Sequence, residues 1–290
     1  MGDTISSGIL SLDILLGGGI PLNKITEISG PPNTSKTSMV LNMIKNNPDC
    51  VTAYLDTDNS INYDYLETME IDTDSMVISQ PESSEQLVQI VETLVSNKAV
   101  DIIIVDSIAT LISHEELNNS MSQINKNNTI TDTIKRLATL IYKSDCALIL
   151  INQIRSDLKA KKYGAEKTIA DRALNSYASI RLDIRQTNEL HKYDQIIGAK
   201  LKISIKKNKL TVKKGESVSI NHYYKSGLDT VDDLLELAVN ANIIQRNGSW
   251  YDFGGEKIQG KDAFIQFLRQ DDNSLLDHIH ERVIRHYFNS

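Results

Sequence analysis

Cysteine is scarce: the 290 residues hold only Cys50 and Cys146, far apart and in no CxxC pair. That excludes a disulfide scaffold and a cysteine-based structural zinc, and it fits a reducing compartment. No apolar run reaches the roughly 18 residues that a membrane-spanning helix needs. The opening Met1-Gly2-Asp3-Thr4 has neither a basic segment nor an apolar run, so no signal peptide is expected. Asp3 also argues against myristoylation of Gly2. The expected location is cytoplasmic, with no membrane partner. There is no internal repeat and no low-complexity tract. Positive charge is not in excess either: 31 Lys and Arg face 38 Asp and Glu, a net charge of −7. A uniformly basic nucleic-acid binder is thereby excluded, but a local basic channel is not, because binding follows the local field.

What is present describes an ordinary globular chain, 40% hydrophobic and 24% charged. A chain of this length buries roughly 75% of its unfolded surface and needs no covalent or metal staple. The charge is uneven. Residues 228–290 hold 6 Lys or Arg and 11 Asp or Glu, so this stretch carries −5 and the rest only −2.

Short apolar runs at 25–29, 51–55, 102–105, 147–151, 180–184 and 201–205 alternate with helical periodicity over 38–45, 84–97 and 129–143. The middle runs are continuous and β-branched, as central strands buried on both faces are. The pattern predicts an α/β fold with a mainly parallel central sheet, the last two runs forming an antiparallel extension. After Gly227 the character changes. Residues 231–240 and 275–287 look helical and flank a strand-like patch at Trp250–Phe253. The expected organisation is a core over 1–227 and a small acidic α+β domain over 228–290.

Between the first strand and the first of these helices lies Gly30-Pro31-Pro32-Asn33-Thr34-Ser35-Lys36-Thr37. This is the phosphate-loop pattern G-x-x-x-x-G-K-[ST] with Ser35 in place of the second glycine. Backbone N–H groups and the helix start, Ser38 included, would cradle phosphates. Lys36 would reach the β- and γ-phosphates of ATP, and Thr37 would hold Mg²⁺. The alternative is a polar turn capping a helix. A Cβ at Ser35 would crowd the nucleotide or strain the backbone, so weaker binding is expected. Asp106 closes the run at 102–105, where an acidic residue holds Mg²⁺ in such sites; the bland reading is a strand-end cap.

Several further blocks resemble the bacterial RecA recombinase family over nearly the whole length: Ile5 to Asp13, Leu16 to Pro21, Tyr54 to Asp58, Ser79-Gln80-Pro81, Val100 to Ala109, Ile151 to Arg155, Tyr177 to Arg185, Lys207 to Lys209, Trp250-Tyr251 and Gly255 to Lys261. The resemblance implies a phosphate-loop ATPase core with a small C-terminal domain, and an ATP-dependent recombinase. Such an enzyme forms a helical filament or ring on single-stranded DNA and pairs it with homologous duplex DNA. It implies that Asp58 stands for a water-activating glutamate, one methylene shorter. Gln153 would sense the γ-phosphate and signal to the DNA-binding loop. Lys207 and Lys209 would reach a neighbouring subunit's ATP, and Tyr65 would stack on adenine. With Ser35 and Asp58 both altered, hydrolysis is expected to be slow.

Two loops are expected to meet DNA, a polar one over 114–128 containing Met121 and a basic one over 155–172. The second carries Arg155, Leu158, Lys159, Lys161, Lys162, Tyr163, Lys167 and Arg172. Its charge suits backbone phosphates, and Leu158 or Tyr163 would wedge or stack against bases. The resemblance departs in three places. Asp171-Arg172 stands where the family has a glycine pair. The family's N-terminal helix and strand, and its acidic tail, have no counterpart. These trimmed ends suggest a phage or mobile-element version, working in a bacterial cell or an infected host. The competing reading is an accessory single-strand-binding or scaffold paralogue with weak or absent ATP hydrolysis.

Overall fold

The β-branched segment Ile102–Asp106 is buried along its whole length, as are Ile25–Gly30 and Thr52–Asp56. Strands of this kind sit in the middle of a sheet with helices on both faces. The computed structural model describes residues 3–110, 123–156, 166–168, 170–211, 215–269 and 274–288. In chain order its strands are β1 (Thr4–Ile5), β2 (Ile20–Pro21), β3 (Ile25–Gly30), β4 (Thr52–Asp56), β5 (Met76–Ser79), β6 (Ile102–Asp106), β7 (Ala147–Ser156), β8 (Glu166–Thr168), β9 (Ile180–Lys192), β10 (Gln195–Asn208), β11 (Ser217–Tyr223), β12 (Gly227–Leu228), β13 (Gln245–Asn247), β14 (Trp250–Phe253) and β15 (Glu256–Gln259). The helices are α1 (Leu10–Leu16), α2 (Lys36–Lys45), α3 (Tyr63–Thr68), α4 (Ser84–Ser96), α5 (Gln123–Tyr142), α6 (Asp171–Tyr177), α7 (Thr230–Asn240), α8 (Lys261–Leu268) and α9 (Ser274–Phe288).

The main sheet runs β12-β11-β10-β9-β3-β7-β6-β4-β5, with β8 paired to β7. From β9 to β5 all neighbours are parallel, whereas β10, β11 and β12 add an antiparallel wing. The α/β reading with an antiparallel extension therefore holds. Side chains alternate between two cores, as the pleat requires. Ile102, Ile104, Ile149 and Ile151 face Leu12, Met39, Met43 and Leu66 of α1, α2 and α3. Ile103, Val105, Leu148 and Leu150 face Leu87, Val91, Ile134, Leu137 and Leu174 of α4, α5 and α6.

A third core joins Leu235, Ala238, Tyr251, Phe264, Ile279 and Val283 of α7, β14, α8 and α9. It packs on the three-stranded sheet β13-β14-β15. Leu228 still belongs to the core beneath the main sheet. Asp233 on α7 ties the two parts, its Oδ2 accepting from the Ser11 N–H of α1 at 3.0 Å.

Three expectations change. The helix expected from 129 begins at Gln123 and takes in the later part of the first expected loop, while residues 114–122 lie outside the described residues. The second expected loop is not structureless over 155–172. β7 runs on to Ser156, β8 returns antiparallel, and Arg172 sits in the first turn of α6. The hairpin β9–β10 is also longer than the two apolar runs that announced it.

Candidate nucleotide site

The parallel register decides which side chains meet. Gly30 at the end of β3 lies beside Gln153 of β7, and Asp56 at the end of β4 lies beside Asp106 of β6. All four sit at the carboxyl edge of the parallel strands, where open α/β sheets bind ligands. The chain then turns through Pro31, Pro32, Asn33 and Thr34 into α2. Only glycine fits at Gly30: a Cβ there would stand 2.5 Å from the Ile184 carbonyl oxygen and 2.7 Å from Thr34 Oγ1.

Lys36 folds inside the turn. Its Nζ donates to the carbonyl oxygens of Pro31 (2.7 Å) and Gly30 (3.3 Å). These are weak neutral partners for a buried ammonium, and burial pulls its pKa down. Thr37 Oγ1 donates to Asp106 Oδ2 at 2.7 Å, and the buried Tyr54 hydroxyl donates to the same oxygen at 2.7 Å. Burial pushes the Asp106 carboxyl up despite both bonds. An ammonium and a carboxylate that each lack a full counter-charge suit a ligand bringing phosphates and a cation. Thr37 and Asp106 offer one hydroxyl and one carboxylate, hard oxygens of the kind that share Mg²⁺ with substrate phosphates. Among the described residues, no group of three or more His, Cys, Asp and Glu forms an all-protein metal cage.

Asp56 is fully buried and spends its two carboxylate oxygens on the N–H groups of Ser60 and Ile61, at 3.1 and 3.0 Å. This shapes the turn that carries Asp58 out to solvent. Partial desolvation, and then the nearby Asp56 and Asp106, push the Asp58 carboxyl above its ordinary range. Tyr65 does not present a free phenol; its hydroxyl donates to Ser38 Oγ in the first turn of α2 at 3.1 Å.

Lys207 and Lys209 lie elsewhere. The Lys209 N–H donates to the Ser179 carbonyl, and the Ser179 N–H to the Ile25 carbonyl, at the start of β3. Gly30 is five residue steps further along β3, roughly 17 Å at a strand's rise, well beyond a lysine's four-carbon stem. The two Nζ atoms donate to the carbonyls of Asn175 and Ser176 in the last turn of α6, a natural berth for cations. Burial, then the charges of Lys209 and Arg181, push the Lys207 ammonium down to about 8. A cleft of about 460 Å³ at this edge is lined by Lys24, Lys143 and Lys209, with Tyr142 and Tyr177.

Between the two edges runs a buried polar chain that the sequence did not announce. Glu27, with no exposed surface, accepts from Arg181 Nε and, at 2.9 Å, from Asn152 Nδ2. Asn152 Oδ1 accepts the Gln153 N–H at 3.0 Å. Arg181 also donates to Asp171 Oδ1 at 2.6 Å. Asp171 thus has an internal ionic partner, while Arg172 is exposed. The backbone is left-handed at Ala170 (φ 57°), the residue before this pair. Arg155 and Lys167 oppose each other in the β7–β8 register. Met121, Leu158, Lys159, Lys161, Lys162 and Tyr163 lie outside the described residues.

Comparison with known proteins points one way. The RecA N-terminal domain family matches residues 2–229, and the RecA C-terminal domain family matches 232–288. The protein named Protein RecA from Geobacter metallireducens is 34% identical over 275 residues, covering 92% of this chain and 81% of its own length. Its namesake from Mycoplasma mycoides is 35% identical over 280 residues (94% and 81%), and that from Clostridioides difficile 31% over 292 residues (98% and 83%).

Proposed function

The chain belongs to the RecA family, and we propose that it is an ATP-dependent DNA recombinase of the cytoplasm, assembling on single-stranded DNA and pairing it with homologous duplex. The observation that carries this reading is the split of its chemistry between two sheet edges. Gly30, Lys36, Thr37, Asp106 and Gln153 gather at one, and Lys207 and Lys209 stand at the other.

In the proposed mechanism, the N–H groups of the loop from Gly30 to Ser35 and of the first turn of α2 receive the ATP phosphates. Lys36 exchanges the carbonyls of Gly30 and Pro31 for phosphate oxygens. Thr37 and Asp106 would hold Mg²⁺, which when bound would neutralise charge on the phosphates. Asp58 orients the attacking water and accepts a proton from it as the water's oxygen bonds to the γ-phosphorus. The bond to the β-phosphate oxygen breaks, leaving ADP and inorganic phosphate. Lys207 and Lys209 of a neighbouring subunit face the charge that builds in this step, as arginine fingers do. A surface that joins one edge of the sheet to the opposite edge of the next copy is heterologous and extends into a helix or closes into a ring. Gln153, beside Gly30, feels the γ-phosphate and hands the difference along β7 to the segment at 157–165. There Leu158, Lys159, Lys161, Lys162 and Tyr163, with Arg155 and Lys167, meet DNA.

The direct test is ATP hydrolysis by the purified chain with and without single-stranded DNA, with Lys36→Ala as control. Hydrolysis that DNA stimulates and the substitution abolishes is the expected result. No hydrolysis in either protein would favour the scaffold reading, and hydrolysis that survives Lys36→Ala would refute the site.

A further inference from the structure

Ser35 occupies the place where the phosphate-loop pattern takes its second glycine, and its backbone is left-handed (φ 58°, ψ 30°). Side chains other than glycine disfavour that region. A serine before a helix ordinarily stays extended and caps the first turn. Ser35 does neither of these things, and it makes no side-chain cap bond to α2. Its hydroxyl is turned sideways to Nδ1 of His222, at 3.0 Å.

His222 comes from the far end of β11, 187 residues along the chain, and is 4% exposed. Its other ring nitrogen, Nε2, stands 3.5 Å from the Tyr65 hydroxyl, which itself donates to Ser38 Oγ. One tautomer satisfies the whole circuit. Ser35 donates to a bare Nδ1, Nε2–H points to the Tyr65 oxygen, and Tyr65 donates to Ser38. Burial keeps the imidazole neutral, lowering its pKa to about 4. The circuit leaves the loop at Ser35, crosses β11 and α3, and returns one turn up α2.

We propose that His222 is a positioning residue for the phosphate loop, holding the Ser35 hydroxyl so that the loop keeps, with a serine, the left-handed form that a glycine takes unaided. His222 touches no phosphate; it acts through Ser35. The proposal rests on the phosphate-loop reading of residues 30–37.

The test is a double-substitution cycle on the full chain, read as the dissociation constant for ATP with Mg²⁺ by titration calorimetry. His222→Leu is expected to weaken binding about tenfold with Ser35 present and less than twofold in the Ser35→Gly background. His222→Asn, whose Oδ1 falls near the site of Nδ1, stays within about threefold of the unsubstituted chain. Equal losses in both backgrounds, or no loss with Ser35 present, would overturn the proposal. Should His222→Leu fail to fold, Ser35 itself decides. Ser35→Ala, which keeps the Cβ and loses the hydroxyl, binds about tenfold more weakly, while Ser35→Gly binds more tightly than the unsubstituted chain. Alanine and serine binding alike would overturn the proposal. Lys36→Ala separates the two levels. If it binds ATP like the unsubstituted chain, the phosphate-loop reading fails; if it loses binding while the cycle is additive, only the role of His222 fails.

Discussion

The two edges of the central sheet are built differently. At the carboxyl edge the polar groups converge on one another: Lys36 turns in on loop carbonyls, Thr37 and Tyr54 share one oxygen of Asp106, and Asp56 is spent on the next turn. At the opposite edge Lys207 and Lys209 lie against the end of a short helix beside an open cleft. The first edge has places for a polyphosphate and its cation, and the cations Arg185 and Lys206 beside it are engaged by Asp183. The second has cations in surplus and no phosphate loop. Each supplies what the other is short of, and about 17 Å of strand keeps them from meeting within one chain. A single copy is therefore half of the proposed site at each edge.

The sharpest break is at the carboxyl edge. Lys36→Ala is expected to lower ATP hydrolysis at least about a thousandfold, since it removes the charge that meets the transferred phosphate; a steady-state phosphate-release assay measures it. Next comes the chain between the edges. Arg181→Leu strands the buried Glu27 carboxylate and is expected to cost about 3–5 kcal/mol of stability, the range for removing one partner of a buried ion pair. Denaturant unfolding followed by circular dichroism checks it, and a loss under 1 kcal/mol would show that the network does not bind the edges together.

The lysine edge should behave otherwise. Lys207→Ala with Lys209→Ala is expected to cut hydrolysis about a hundredfold while ATP affinity of the unassembled subunit stays within about twofold. Weakened binding by the dilute subunit would place the lysines in their own chain's site and erase the comparison. The smallest effect is in pH. Lys207 is charged below about 8 and loses its proton above it. Hydrolysis should therefore decline by up to about tenfold as pH rises through 8 to 9. Lys207→Arg, which stays charged, should shift that decline upward. A profile identical in both proteins would remove Lys207 from the reaction.

Much of the carboxyl edge was legible in the sequence, because strands buried on both faces write continuous β-branched runs and the loop between β3 and α2 has a fixed spacing. The rest was hidden for physical reasons. The outer half of the β9–β10 hairpin, around Gln186 to Lys192, is solvated, so no apolar run marks it. The helices α3 and α6, of 6 and 7 residues, are too short for periodicity to show. The polar opening of α5, with Asn125, Lys126, Asn127 and Asn128, reads like a loop. Asp56 lay in plain view at a strand end, two residues before Asp58, yet only the register with Asp106 shows where it belongs. Ser35 looked like a flaw in the pattern. Its partner His222 is a lone histidine far along the chain, and nothing in its neighbours' identities links it to the loop.

The measurement that tests the account most directly is a mixing experiment. Lys36→Ala protein and the Lys207→Ala, Lys209→Ala protein are each expected to be nearly inactive with single-stranded DNA and ATP. Mixed in equal amounts, they should recover about a quarter of the wild-type hydrolysis rate, the share of head-to-tail contacts that join an intact loop to intact lysines in a random assembly. A mixture no more active than its two components would contradict a site shared between the two edges.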